Sequence, residues 1–115
     1  MRIWFGGRAG VASIEERARG LAKHLGPDIM PSFGFTDDRP SSFYAASRAH
    51  DVVWLLSQHP RRLLAAARAR RDGGARIVVD TGDLLYESER TAGTRGPKLW
   101  FTRWWEPRSL RLADA

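Results

Sequence analysis

At 115 residues the chain has room for one small domain, which on folding hides roughly 60–70% of the surface an unfolded chain exposes. With 43% apolar and 28% charged residues, a net charge of +6, and apolar runs of at most five residues, it holds nothing like the roughly 20 apolar residues of a membrane-spanning helix. The absence of cysteine excludes disulfides, thiolate nucleophiles and cysteine metal sites, and "MRIWFGG" lacks the apolar core of a signal peptide, which points to the cytoplasm.

The first element is a short apolar run, Arg2–Gly6, that ends in Gly6-Gly7 as a buried strand does when it turns toward a helix. In the next segment, "SIEERARGLAKHLGP", Ile14, Ala18, Leu21, Ala22 and Leu25 share one helical face. Ser13 and Glu16 have capping-box spacing, and Gly26-Pro27 supplies a stop. "DIMPSFGF" reads as a second strand confined to an edge or an irregular segment, because Pro31 cannot donate to a sheet ladder. "TDDRP" reads as a loop, and "SSFYAASRAH" as a short helix with Phe43 and Ala46 toward a core.

"DVVWLL" follows as a strand with almost no polar alternation, the pattern of burial on both faces of a sheet. "PRRLLAAARARR" is a helix with Pro60 near its start, a stripe of Leu63, Leu64 and Ala67, and arginines opposite. Gly73-Gly74 ends it before the strand "RIVVD". "ESERTAGTRG" reads as a polar loop, and "PKLWFTRWWEPRSLRLADA" as helical, with Pro97 at its start and Pro107 dividing it. Strand and helix alternate over short connections, which predicts an α/β fold with an open, mostly parallel sheet and helices on both faces.

Asp80 and Asp83 stand at the carboxyl end of "RIVVD", the end at which open parallel sheets bind ligands. An Asp in that position equally starts a turn or caps a helix. "GDLLY" resembles the Gly-Asp segment of metallophosphoesterases, but the Asp-x-His and Gly-Asn-His motifs of that family have no counterpart here. His24, His50 and His59 lack metal-ligand spacing and read as surface or capping residues, so no metal site is expected. "FGGRAG" places glycines at 6, 7 and 10 between a strand and a helix. There backbone N–H groups can face a phosphate, although the spacing is not that of a dinucleotide fingerprint.

Of the 19 basic residues 17 are arginine, whose planar fork suits phosphate but which also forms ordinary solvated helix faces. "KLWFTRWWEPR" packs three tryptophans, a phenylalanine and three basic residues into eleven positions. That is the composition of a helix at a lipid headgroup boundary or of a nucleic-acid platform. The alternative is that Leu99, Trp100 and Trp104 pack on a core. Where these side chains face outward, the expected partner is an anionic membrane at its inner face, met through Lys98, Trp100, Arg103, Trp104, Trp105 and Arg108, with nucleic acid the lesser partner; a small basic α/β module that docks on either is a second reading of the chain.

In order and spacing, four stretches resemble the N-terminal, Rossmann-like domain of bacterial glycosyltransferases of the two-domain GT-B type. They are "RIWFGG" with "ERARGLAKHLG", "AHDVVWLLS", "ARIVVDTGDLLYE", and "EPRSLRLADA", which resembles the helix leading into a further strand. The resemblance implies the acceptor-binding part of an enzyme that moves a sugar from a nucleotide-sugar donor to a cell-envelope or metabolite acceptor. It implies residues 1–115 as one domain ending before its last strands, no cofactor of its own, and inactivity without the donor-binding domain. It also implies Gly6, Gly7 and Arg8 near donor phosphates or acceptor, and Asp80, Asp83 and Glu87 lining the cleft. The family often has histidine inside the Asp-x-x-Asp turn, where this chain has Gly82.

Overall fold

In a computed structural model the chain is described over residues 1–56, 59–80, 93 and 96–114, with the backbone alone described at 98, 102, 106, 109 and 110. The elements are β1 (Arg2–Gly6), α1 (Ala12–Ala22), β2 (Met30–Gly34), α2 (Pro40–Ala49), β3 (Val52–Leu55), α3 (Pro60–Arg71), β4 (Arg76–Val79) and α4 (Pro97–Leu110). The four strands make one all-parallel sheet in the order β2-β1-β3-β4, the expected Rossmann-like α/β architecture. Among the described residues no helix is long and apolar enough to cross a membrane.

Side-chain alternation along the strands divides the core in two. Trp4, Val53, Leu55 and Ile77 point to one face, where Phe43 of α2 and Leu63 and Ala66 of α3 close over them. Ile3 and Phe5 point to the other, under Ala18 and Ile14 of α1. There Phe33, Phe5 and Trp54 lie side by side in register across three strands, each neighbouring pair stacked at 5.6 Å between centroids. Full burial of one such ring contributes about 1.5–3 kcal/mol. The strand at 52–55 therefore meets apolar layers on both faces, which explains its lack of polar alternation. β2 is an edge strand: Met30 N–H donates to the Met1 carbonyl at 2.9 Å, so the alternating backbone of Pro31 turns away from β1, where a missing donor costs nothing.

Four local expectations are corrected. The N-cap of α1 is Val11, with no side-chain cap bond, rather than Ser13. Gly10, at φ 75°, makes the turn, and the helix begins two residues later, which leaves Ser13 inside its first turn. The same helix ends at Ala22 rather than at Gly26-Pro27, closing through turn bonds from His24 to Leu21 and from Leu25 to Ala22. On α3 the buried stripe is Leu63, Ala66 and Ala69, while Leu64 is 43% exposed; in an alanine-rich helix the apolar stripe is wide enough to rotate. Finally, α4 runs through Pro107, because so near the C-terminal end the ring removes a single helical bond and the last turn still closes.

Candidate functional site at the carboxyl ends of the strands

β1 connects outward to β2 through α1 on one face. The chain then returns past β1 to β3 through α2 on the other face. The sheet order reverses between β1 and β3, and the crevice at their carboxyl ends is where open α/β sheets take ligands. Gly6, Gly7 and Arg8 emerge at that point.

The two glycines are there for packing before any ligand is considered. Gly6 and its register partner Gly34 form a shelf for the Trp4 indole, and a Cβ on either would run into the ring. Trp4 in turn meets Phe43 edge-on at 5.0 Å. A Cβ at Gly7 would come within 2.9 Å of Ile14 and 3.4 Å of Phe35. Arg8 is exposed at the mouth of the crevice.

Beyond Arg8 the loop is already tied down. Ala9 N–H donates to Asp38 Oδ2 at 3.0 Å. Arg62 of α3 holds the same residue twice, from Nη2 to Oδ2 at 3.0 Å and from Nε to the carbonyl at 2.9 Å. The Ala9 bond first and the Arg62 charge next hold the Asp38 carboxyl below its usual range. Asp37 organises the start of α2 by accepting from Arg39 Nη2 at 2.8 Å and Ser42 Oγ at 2.7 Å, which depresses its carboxyl strongly. His59, the N-cap of α3, has a lowered pKa through partial burial and the charges of Arg62 and Arg61.

Asp80 sits two strands from β1, about 10 Å across the sheet. Its N–H closes the β3–β4 ladder on the Leu55 carbonyl at 2.7 Å, and its carboxylate accepts from Arg17 Nε of α1 at 2.7 Å. Asp83 and Glu87 lie outside the described residues. Among the described residues no three His, Asp or Glu side chains converge to hold a metal ion. His50 closes the end of α2 with Nδ1 2.7 Å from the Ala46 carbonyl.

Trp100, Arg103, Trp104, Trp105 and Arg108 lie on α4, which packs against α3 on the face opposite α1. Lys98 is on the same helix, with only its backbone described. A hollow of about 530 Å³, lined by residues including Met1, His50, Asp51 and Arg76, opens at the other, amino end of the strands. Arg17, Asp38 and Arg62 were not among the residues expected from sequence. Asp38 had a usable signal, since it follows β2 and precedes Arg39-Pro40, whereas the two arginines look like any others in the chain.

The crevice thus offers arginines at its rim, a short run of backbone N–H groups, and two carboxylates already partnered by arginine. Such a set has the chemistry to hold and orient an anionic or hydroxyl-bearing ligand.

No family model, no curated protein and no solved structure matches this chain. The fold is shown as a Rossmann-like α/β sheet and as nothing narrower, and many chemistries share that fold.

Proposed function

We propose that this chain is the acceptor-side half of a GT-B glycosyltransferase. In this reading it forms one wall of a cleft whose other wall, a second Rossmann-like unit, carries the nucleotide-sugar donor. The observation that carries the reading is the reversal of strand order between β1 and β3 with the glycine loop at that point. Order and spacing of the four stretches named above give the reading its chemistry.

In this mechanism the Gly7–Gly10 backbone and Arg8 approach the donor phosphates or the acceptor as the cleft closes. Leaving-group charge is met by arginine and backbone N–H groups rather than by a metal ion. Asp80 lines the cleft, and the resemblance adds Asp83 and Glu87 as further candidates. The chain works in the cytoplasm, at the inner face of a membrane, on a cell-envelope or metabolite acceptor.

The chain alone is expected to turn over UDP- and GDP-sugars no faster than buffer. Sugar release by the purified chain that disappears in Asp80→Asn would contradict the division of labour proposed here.

A further inference from the structure

α4 turns three of its four aromatic side chains outward, while Trp105 is half-buried. Trp100 is 78% exposed, Phe101 55% and Trp104 53%. At about 100° per residue, Trp100, Trp104 and Arg108 follow one line along the helix, with Phe101 on one flank and Arg103 on the other. Arg108 folds back over this line, its guanidinium 4.5 Å from the Trp104 ring centroid and its Nη1 donating to the Trp104 carbonyl at 2.6 Å. Trp100, Arg103, Trp104 and Arg108 together line a cleft of about 470 Å³.

A contiguous patch of large exposed rings marks an interaction surface rather than scattered surface apolarity. Its chemistry distinguishes among partners. A nucleic-acid platform needs open ring faces on which bases stack. Here Arg108 covers Trp104, and Phe101 lies parallel to Trp105 at 3°. A lipid headgroup layer asks for something else: indoles with an apolar body and an N–H tip, and arginines whose stems lie along apolar surface while their charge meets phosphate. Both charged side chains described on α4 are arginines, Arg103 and Arg108, and the whole chain carries a net charge of +6. That charge is complementary to an anionic leaflet.

We propose that the α4 face formed by Trp100, Phe101, Arg103, Trp104 and Arg108 docks on the headgroup layer of an anionic phospholipid bilayer, with rings at the acyl boundary and guanidinium groups on lipid phosphate. The proposal rests on the membrane location given above and not on sugar transfer.

The test is co-sedimentation of the purified chain with phosphatidylcholine vesicles with and without phosphatidylglycerol, together with quenching of tryptophan fluorescence by brominated lipid. Binding is expected only with phosphatidylglycerol. It should weaken roughly tenfold in Trp100→Ala/Trp104→Ala and again in Arg103→Gln/Arg108→Gln, and fall as salt rises. These side chains are exposed, so both variants should keep the parent's circular dichroism and Tm. Three results would overturn the proposal: no binding to anionic vesicles, binding that the variants leave unchanged, or a concentration-dependent dimer that Trp100→Ala/Trp104→Ala abolishes in the absence of vesicle binding. The last would assign the face to a second copy of the chain. Vesicle binding by a chain that releases sugar from a nucleotide sugar on its own would leave this inference standing while removing the function proposed above.

Discussion

Arg17 of α1 donates from Nε to Asp80 Oδ2 at 2.7 Å, with the carboxylate side chain 14% exposed and the arginine 59%. The acid at the end of β4 is therefore partnered across the sheet face by the helix that follows β1. Solvent screens so exposed an arginine, and such pairs contribute little to stability. Arg17→Ala and Asp80→Asn should each lower Tm by a few degrees at most, and the double variant by no more than the worse single one, because both remove the same contact. Additive losses in a thermal double-mutant cycle would show that each side chain has a separate structural role.

The Trp4 shelf predicts a conflict that can be relieved. Gly34→Ala should cost about 1–3 kcal/mol by forcing the indole off its seat. Trp4→Ala should cost about 3–5 kcal/mol, since it empties a fully packed site beside Phe43. In Trp4→Ala/Gly34→Ala the clash has no target, so the double variant should be no less stable than Trp4→Ala alone. Urea unfolding of the four proteins measures this.

Adjacent leucines on α3 should behave differently. Leu63 is fully buried among Val53, Ile77 and Phe43, whereas Leu64 faces solvent. Leu63→Ala should cost about 2–5 kcal/mol, and Leu64→Ala less than about 0.5 kcal/mol. Equal losses in urea would mean that the helix is rotated from the position described.

That rotation shows where the sequence was ambiguous. Strands and helices were legible from apolar period and from the Gly and Pro residues between them, and the parallel sheet followed from their alternation. In "LLAAA", however, several neighbouring faces are equally apolar, and only contact with β3 and β4 selects Leu63, Ala66 and Ala69. The start of α1 was misplaced because Gly10 makes its turn with φ 75°, a conformation that capping-box spacing does not report. The site was half legible. Gly6, Gly7, Arg8 and Asp80 do stand at carboxyl strand ends, but a long-range partnership such as Arg17 with Asp80 has no local signature.

Stability should fall with acid in two stages. His59 has a pKa below its ordinary 6.5 in the fold, so its contribution is fully present above 6.5 and lost as pH falls through the lowered value. Asp37, Asp38 and Asp114 are held below their ordinary 3.8 by their hydrogen bonds and arginine neighbours. Their contribution is present above 3.8 and lost as pH falls through the depressed values. Tm should therefore be flat between neutrality and mildly alkaline buffer short of 10, where Tyr44, raised by its hydrogen bond to Asp72, begins to matter, decline gently in mildly acidic buffer and drop steeply below 3.8. His59→Gln should remove the first stage alone, and a Tm that rises on acidification would contradict the assignment.

The most direct measurement is an amide NMR titration of the isotope-labelled chain at low salt with inorganic pyrophosphate, the charged part of the donor that the glycine loop meets in this reading. The account predicts shifts concentrated at Gly7, Arg8, Ala9 and Gly10, with smaller ones at Arg17 and Asp80, and none at the amino-end hollow around His50, Asp51 and Arg76. No shift at saturating pyrophosphate, or shifts confined to the amino ends of the strands, would contradict it.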